Sequence, residues 1–403
     1  MQIDAALDAI TGNSTIFASK QLARLDLTKT KALKLPAKLA YFHGGSTYHR
    51  VAVVCPLQKT VGHDQLLLAG LMWANKVSNG QKTVLYLVGK GFDSRFGHLV
   101  QMFGPQIEIR LVYFTPKLET PLVVAARETK LSAPRYTVPL PREQSFWERK
   151  LNPVEKGWFL SALNYFRTFR DREITVCILE NWVSIKFRGQ EIVRISKKES
   201  RLRIALITRY PREIPGCVGV REEREGWFNA QGELNAEFVR ACEHRLEQLR
   251  TDHDLFARVC PEKQRLENVI RKNLPGFSLE ERAYFQLDVG CKGETSLCVD
   301  LAGRTSDGTL VVGSIHPQRD LLGLVHCLEQ LTWARTQFSE IRQAYFGGEF
   351  LAEAQAWLIC PQNRMHPEVE VLRSLIEPQH RVKALALKDG WQENGACAFK
   401  FLE

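Results

Sequence analysis

The stretch SLCVDLAGRTSDGTLVVGSIHPQ (296–318) decides how this chain is read. Two apolar runs, around LCVDLAG and TLVVGSI, flank Asp307-Gly308. That dipeptide accepts the positive φ of a tight turn and so predicts a β-hairpin. Working outward, PEKQRLENVIRKN (261–273) predicts a helix, because proline is tolerated in the first helical turn. A strand is expected around Tyr284–Val289. After the hairpin, DLLGLVHCLEQLTWARTQF (320–338) predicts a helix and AWLIC (356–360) a buried strand. The helix HPEVEVLRSLI (366–376) and the strand RVKALALK (381–388) follow. Helices alternating with strands in this way define an α/β layer structure.

The motifs PEKQRLE (261–267) and VDLAGRTSDGTLVV (299–312), with a tryptophan on the next helix, resemble the PD-(D/E)XK, or restriction-endonuclease-like, superfamily. A particular likeness is to bacterial nuclease-like proteins in which a PERWLE-type helix precedes an IDLL…DGRLVVIELK hairpin. The likeness covers roughly the last 140 residues. It implies a divalent metal held by an aspartate on the first hairpin strand and a glutamate on the second. A lysine two residues further on lies on the same strand face, and a helix glutamate assists. The metal makes hydroxide and stabilises the departing oxygen of a phosphodiester. Carried over, Glu267 matches the helix glutamate and Asp300 the hairpin aspartate. The E-x-K slot instead reads Ser314-Ile315-His316. Serine is a poor magnesium ligand, and a neutral histidine does not replace an ammonium.

The catalytic positions are therefore expected to be vestigial, with no metal and no cofactor. The alternative is a magnesium or manganese site of Glu267, Asp300, His316 and a migrated Glu329, with Arg319 or Arg335 adding charge. The plainer reading makes Glu267 and Glu329 ordinary exposed helix residues, Asp300 a turn-proximal cap or ion-pair partner, and His316 the start of a loop before Pro317.

The N-terminal part echoes this order. VAVVC (51–55), a helix from His63 to Val77, VLYLVG (84–89), a helix from Phe92 to Phe103 and IEIRLVYF (107–114) repeat the strand–helix alternation. LAGLMWANK (68–76) and LEQLTWART (328–336) share L-x-x-L-x-W-A at nearly the same distance from their strands. The first copy has Pro56-Leu57-Gln58 in the E-x-K slot and no aspartate in AYFHGGSTYHR (40–50), so it too is expected to be inert.

Between the copies, VSIKFR (183–188) and EIVRIS (191–196) predict an exposed hairpin, and RLRIALI (201–207) a third strand. Lys186, Arg188, Arg194, Lys197, Lys198, Arg201 and Arg203 are expected to point outward as a face for nucleic-acid phosphates. A solvated sheet face explains the same residues without a ligand. The expected divisions are an arm (1–45), a degenerate α/β half-unit (46–116) and a linker (117–154). A basic α+β middle domain (155–235) and the nuclease-like domain with its leading helices (236–403) complete the chain. The fold class is α/β: two restriction-endonuclease-like units flanking a basic β-containing segment.

With 44% hydrophobic residues, the 403-residue chain has enough apolar material for several cores. No apolar run reaches the ~18 residues of a membrane span. The N-terminus lacks a basic region followed by an apolar stretch, so no secretory signal is expected. The 10 cysteines are scattered without a C-x-x-C, which fits a reducing cytoplasm better than zinc or a disulfide framework. Phosphate-cradling and dinucleotide motifs are absent. The net charge of +10 favours polyanions, with DNA preferred over RNA as the expected partner. The expectation is a non-catalytic nucleic-acid-binding or scaffold protein of the cytoplasm, with no membrane partner and with protein partners or a homodimer open. Its rivals are a rearranged metal-dependent nuclease and a protein–protein adaptor.

Overall fold

The structure is a computed structural model. It describes residues 10, 17, 19, 21–33, 35–45, 49–58, 61–89, 91–113, 122–125, 134–138, 144–168, 174–179, 181–187, 190–198, 201–207, 220–224, 227–230, 235–252, 262–291, 297–388 and 399–402. Short apolar runs and amphipathic helices alternate as the sequence predicts, and the fold is α/β.

The first unit is a six-stranded sheet in the order β1 (Ala23–Arg24), β2 (Leu39–Gly45), β3 (Arg50–Pro56), β4 (Thr83–Gly89), β5 (Ile107–Tyr113), β6 (Leu122–Ala125). The first three strands are antiparallel, β3, β4 and β5 are parallel, and β6 is again antiparallel. Helix α1 (His63–Ser78) makes the crossover from β3 to β4, and α2 (Ser94–Val100) that from β4 to β5. Parallel neighbours need such crossovers, which is why the helices sit where they do.

The third sheet has the same plan: β13 (Leu279–Val289), β14 (Leu297–Thr305), β15 (Leu310–Ile315), β16 (Ala354–Pro361), β17 (Lys383–Leu387), β18 (Phe399–Leu402). Again the first three strands are antiparallel, the next pairings parallel and the last antiparallel. Helix α6 (Leu322–Thr336) makes the first crossover and α7 (Val369–Ser374) the second, while α5 (Glu262–Lys272) precedes the sheet. Trp73 on α1 and Trp333 on α6 occupy matching places, and both are buried. The repeat therefore extends over all six strands of each sheet.

The two units share one hydrophobic core, and α6 lies against α1 and α2. Their seam has two-fold character. Phe103, just after α2, forms an antiparallel bridge with Ile376, just after α7. Gly104 donates its N–H to the Leu375 carbonyl at 2.7 Å, and Glu377 donates to the Met102 carbonyl at 2.9 Å. Equivalent residues thus bond each other reciprocally, as across the axis of an isologous dimer.

The middle unit is a separate, fully antiparallel sheet in the order β11 (Val220–Arg224), β12 (Trp227–Ala230), β10 (Arg201–Ile207), β9 (Gln190–Lys198), β8 (Trp182–Phe187), β7 (Ile174–Ile178). Its core joins Phe159 and Phe166 of α3 (Pro153–Thr168) and Phe238 and Leu246 of α4 (Ala236–Thr251) to Val183, Ile185, Ile195 and Leu206.

Three expectations need correction. Residues 39–45, assigned to an arm, are β2, an interior strand of the first sheet with Leu39 to Phe42 buried. The linker is not free: Thr137 exchanges hydrogen bonds with Gly290 at 2.9 Å, and Trp147 is buried with its indole N–H on the Leu179 carbonyl. The hairpin of the middle sheet is not exposed either, because Val183 to Phe187 of β8 are all buried. Among the described residues, no helix is long and apolar enough to cross a membrane.

Candidate functional site

The C-terminal site is built on the first hairpin. Register pairs Phe285 with Leu301 and Leu287 with Val299, so Gln286 stands opposite Asp300. Leu301 pairs with Gly313, which places Ser314 on the other side of Asp300. Gln286, Asp300 and Ser314 therefore form one row across three strands. Helix α5 supplies a second row, since Lys263, Glu267 and Arg271 recur every four residues and share a face. Leu266 and Ile270 anchor the helix in the core beside them.

Asp300 is 2% exposed. A carboxylate buried that deeply is costly unless its charge and lone pairs are met. Lys263 Nζ lies 2.7 Å from its Oδ1, and the Ile315 N–H donates to Oδ2 at 3.0 Å. The two oxygens are thus occupied by groups of the same chain. Glu267, also 2% exposed, accepts from Arg271 at 2.9 Å and from the Gln286 side-chain amide. Lys186, from β8 of the middle unit, lies 3.8 Å from Glu267 and donates to the Gln286 side-chain carbonyl at 2.7 Å. Gln286 bridges the two charges from a left-handed backbone conformation, with φ of 53°. Outside glycine that conformation stores strain, which the surrounding contacts must sustain.

Ser314 is buried, and its Oγ has no hydrogen-bond partner among the described residues. His316 Nε2 sits 2.6 Å from Asp320 Oδ1, an oxygen that also accepts the Leu322 N–H at the start of α6. Gly323 makes room for this ring, because a Cβ there would meet His316 Cγ at 2.7 Å. His326, whose ring centroid is 6.3 Å from that of His316, is held below the ordinary histidine range by burial. Glu329 does not face a metal site: its carboxylate is 2.9 Å from Arg95 Nε of the first unit, so it belongs to the seam. Arg335 donates to His380 Nδ1 and to the Gln379 carbonyl, and Arg319 is exposed. The reading of Glu267 and Glu329 as exposed helix residues is therefore corrected, since both are buried.

A divalent ion does not fit this donor set. Asp300 and Glu267 are compensated by ammonium and guanidinium groups, Ser314 offers only a neutral hydroxyl, and His316 is bound to Asp320. Among the described residues, no group of three or more His, Cys, Asp or Glu side chains converges as a metal site.

The basic face is also redistributed. Lys186 is buried rather than outward. Lys197 points to the opposite face, because it pairs across the ladder with the core residue Leu202. There it donates to the Lys150 carbonyl at 2.7 Å and lies 3.4 Å from Glu155. Arg194 donates to Glu191 at 2.9 Å and lies over the Trp182 ring at 5.0 Å. Arg201 is exposed and Arg203 half-buried. Arg188 and the Lys198 side chain lie outside the described residues. Sequence reasoning missed Lys263, Gln286 and Arg95. Only the four-residue spacing of Lys263 and Glu267 carried a signal in one dimension.

In comparison with known proteins, the chain matches no family model and no curated protein.

Proposed function

We propose that this protein is a non-catalytic, restriction-endonuclease-like scaffold that binds nucleic acid. The observation that carries the non-catalytic part is the pairing of Asp300 with Lys263, and of Glu267 with Arg271 and Lys186. These internal cations meet the charges that a nuclease would use to hold its metal. Support for the family reading comes from the α5–β13–β14–β15–α6–β16–α7–β17 order, which follows the arrangement the sequence resemblance implies apart from an additional helix, Phe338–Phe346, between α6 and β16. The net charge of +10 supports a polyanionic partner, DNA in the first instance. Fold-level analogy supplies the remainder.

The test is a gel-shift and cleavage assay with labelled single- and double-stranded DNA and RNA, in manganese or in chelator. The expected result is a shift that weakens steeply as salt rises, with no product in either condition. Manganese-dependent product that disappears in Asp300→Ala would establish the rearranged nuclease instead. Silence in every lane would overturn the nucleic-acid reading and leave the adaptor reading ahead.

A further inference from the structure

We infer that Glu267 is an internal counter-anion that withholds Lys186 from nucleic acid, so that the contact between the middle and C-terminal units gates binding. This rests on the nucleic-acid reading above and names the regulation of that face.

Three observations lead to it. First, the cluster is unbalanced: Lys186 and Arg271 carry two positive charges against one carboxylate, Glu267. With side-chain exposures of 8% for Lys186 and 2% for Glu267, neither is solvated, so a second anion is favoured there over water. A phosphate supplies what Glu267 supplies, a charged oxygen acceptor for an ammonium. Second, Lys186 stands opposite Glu191, whose carboxylate accepts from Arg194, and Arg194 shares a sheet face with Arg201 and Arg203, because Ala205 stands opposite Arg194 and Arg203 opposite Ser196. Exposing Lys186 therefore extends an existing basic face. Third, the middle unit has a sheet of its own. The middle unit also keeps its own core. The strained backbone at Gln286 lies within this contact, and separation of the units releases it from the role of bridge.

In the closed arrangement Lys186 adds nothing to affinity, and the free energy of opening is subtracted from binding. Removing the Glu267 charge lowers that opening cost.

The experiment measures fluorescence anisotropy of a labelled duplex DNA with the full chain, as unaltered protein, Glu267→Gln, Lys186→Ala and the double variant. Glu267→Gln is expected to bind about tenfold more tightly, the scale of a modest population shift. Lys186→Ala alone is expected to leave affinity within about twofold, and to erase the gain when combined with Glu267→Gln. Hydrogen exchange on the unaltered chain provides a readout that does not depend on the folding of a variant. Saturating DNA is expected to raise exchange in residues 262–272 and 279–289, the segments that Lys186 leaves. DNA binding with no gain in Glu267→Gln and no rise in exchange overturns the gate but leaves the nucleic-acid reading standing. No binding by the unaltered chain or by any variant overturns the nucleic-acid reading and the gate together.

Discussion

The two six-stranded units share their strand order, their pattern of parallel and antiparallel pairing and their crossover helices, yet differ in the strand before the central one. In the first unit β2 is apolar where it is buried: Leu39, Ala40, Tyr41 and Phe42. In the second, β14 buries Asp300 between Val299 and Leu301, which are both fully buried. A buried charge at this place is therefore not something the strand order itself requires. Topology and apolar packing are sufficient to hold the first sheet. The charge in the second is an addition that Lys263 and the Ile315 amide must offset.

The shared core makes the strongest prediction about this pair. Trp73 and Trp333 lie in one continuous cluster, although their indole N–H groups go to different places. Trp73 donates to Phe42 of its own unit at 2.8 Å, whereas Trp333 donates to Thr137 of the connecting segment at 3.2 Å. Truncating either to alanine is expected to cost about 3–5 kcal/mol. In differential scanning calorimetry, both variants should lower one common transition for the two flanking units. Two transitions that move separately, each with its own tryptophan, would show that the seam does not make the units cooperative.

The buried carboxylate comes next in size. Lys263→Met leaves Asp300 with only a backbone donor from the Ile315 amide and the weak Cys298 thiol. Because the lysine side chain is itself 42% exposed, the expected cost is about 1–2 kcal/mol, below that of a fully buried pair. Asp300→Asn keeps an acceptor for the Ile315 amide and removes the charge. Combined with Lys263→Met, it should recover about 1 kcal/mol relative to the sum of the single changes in urea unfolding. Simple additivity would mean that the ammonium does not stabilise the carboxylate, and the second unit would then tolerate its charge as cheaply as the first does without one.

Much of this architecture was legible in one dimension, and the failures have definite causes. The Asp307-Gly308 turn, the crossover helices and the repeated L-x-x-L-x-W-A are local patterns, and the structure contains all of them. Strand β2 was hidden because Gly44-Gly45 reads as a boundary, whereas here Gly44 and Gly45 are the end of a strand paired with Val51 and Arg50. The alternation in β8 gives two faces, as the structure has them, but solvent is not the partner of its polar face. Its actual partner is Gln286, 100 residues away, and no local pattern specifies such a neighbour. The sequence reading puts the consecutive residues Lys197 and Lys198 on one face, whereas strand side chains alternate, and Lys197 lies on the face of Leu202. At the candidate site, the carboxylates were visible in sequence and their compensation was not, apart from the spacing of Lys263 and Glu267.

Protonation should distinguish the units most gently, and with opposite signs. His63 in the first unit is held above the ordinary histidine range chiefly by the Asp93 carboxylate, 3.9 Å away, with Asp64 also nearby. A raised folded pKa contributes stability that is fully present below about pH 6.5 and is lost as pH rises through the folded value. His326 in the second unit is held below that range by burial, with Asp64, His316, Asp300 and Lys263 around it. A lowered folded pKa contributes stability that is present above about pH 6.5 and is lost as pH falls through the folded value. His380 behaves likewise: burial lowers it first, and Arg335 donates to its Nδ1, which only a neutral ring accepts. Thermal melts of His63→Gln and His326→Gln between pH 5.5 and 8 resolve the two. His63→Gln should lower Tm at the acid end and leave it nearly unchanged at pH 8. His326→Gln should instead flatten the loss of Tm on acidification. If both variants shifted the profile in the same direction, the histidines of the two units would not be held in opposite environments, and that part of the contrast would fall.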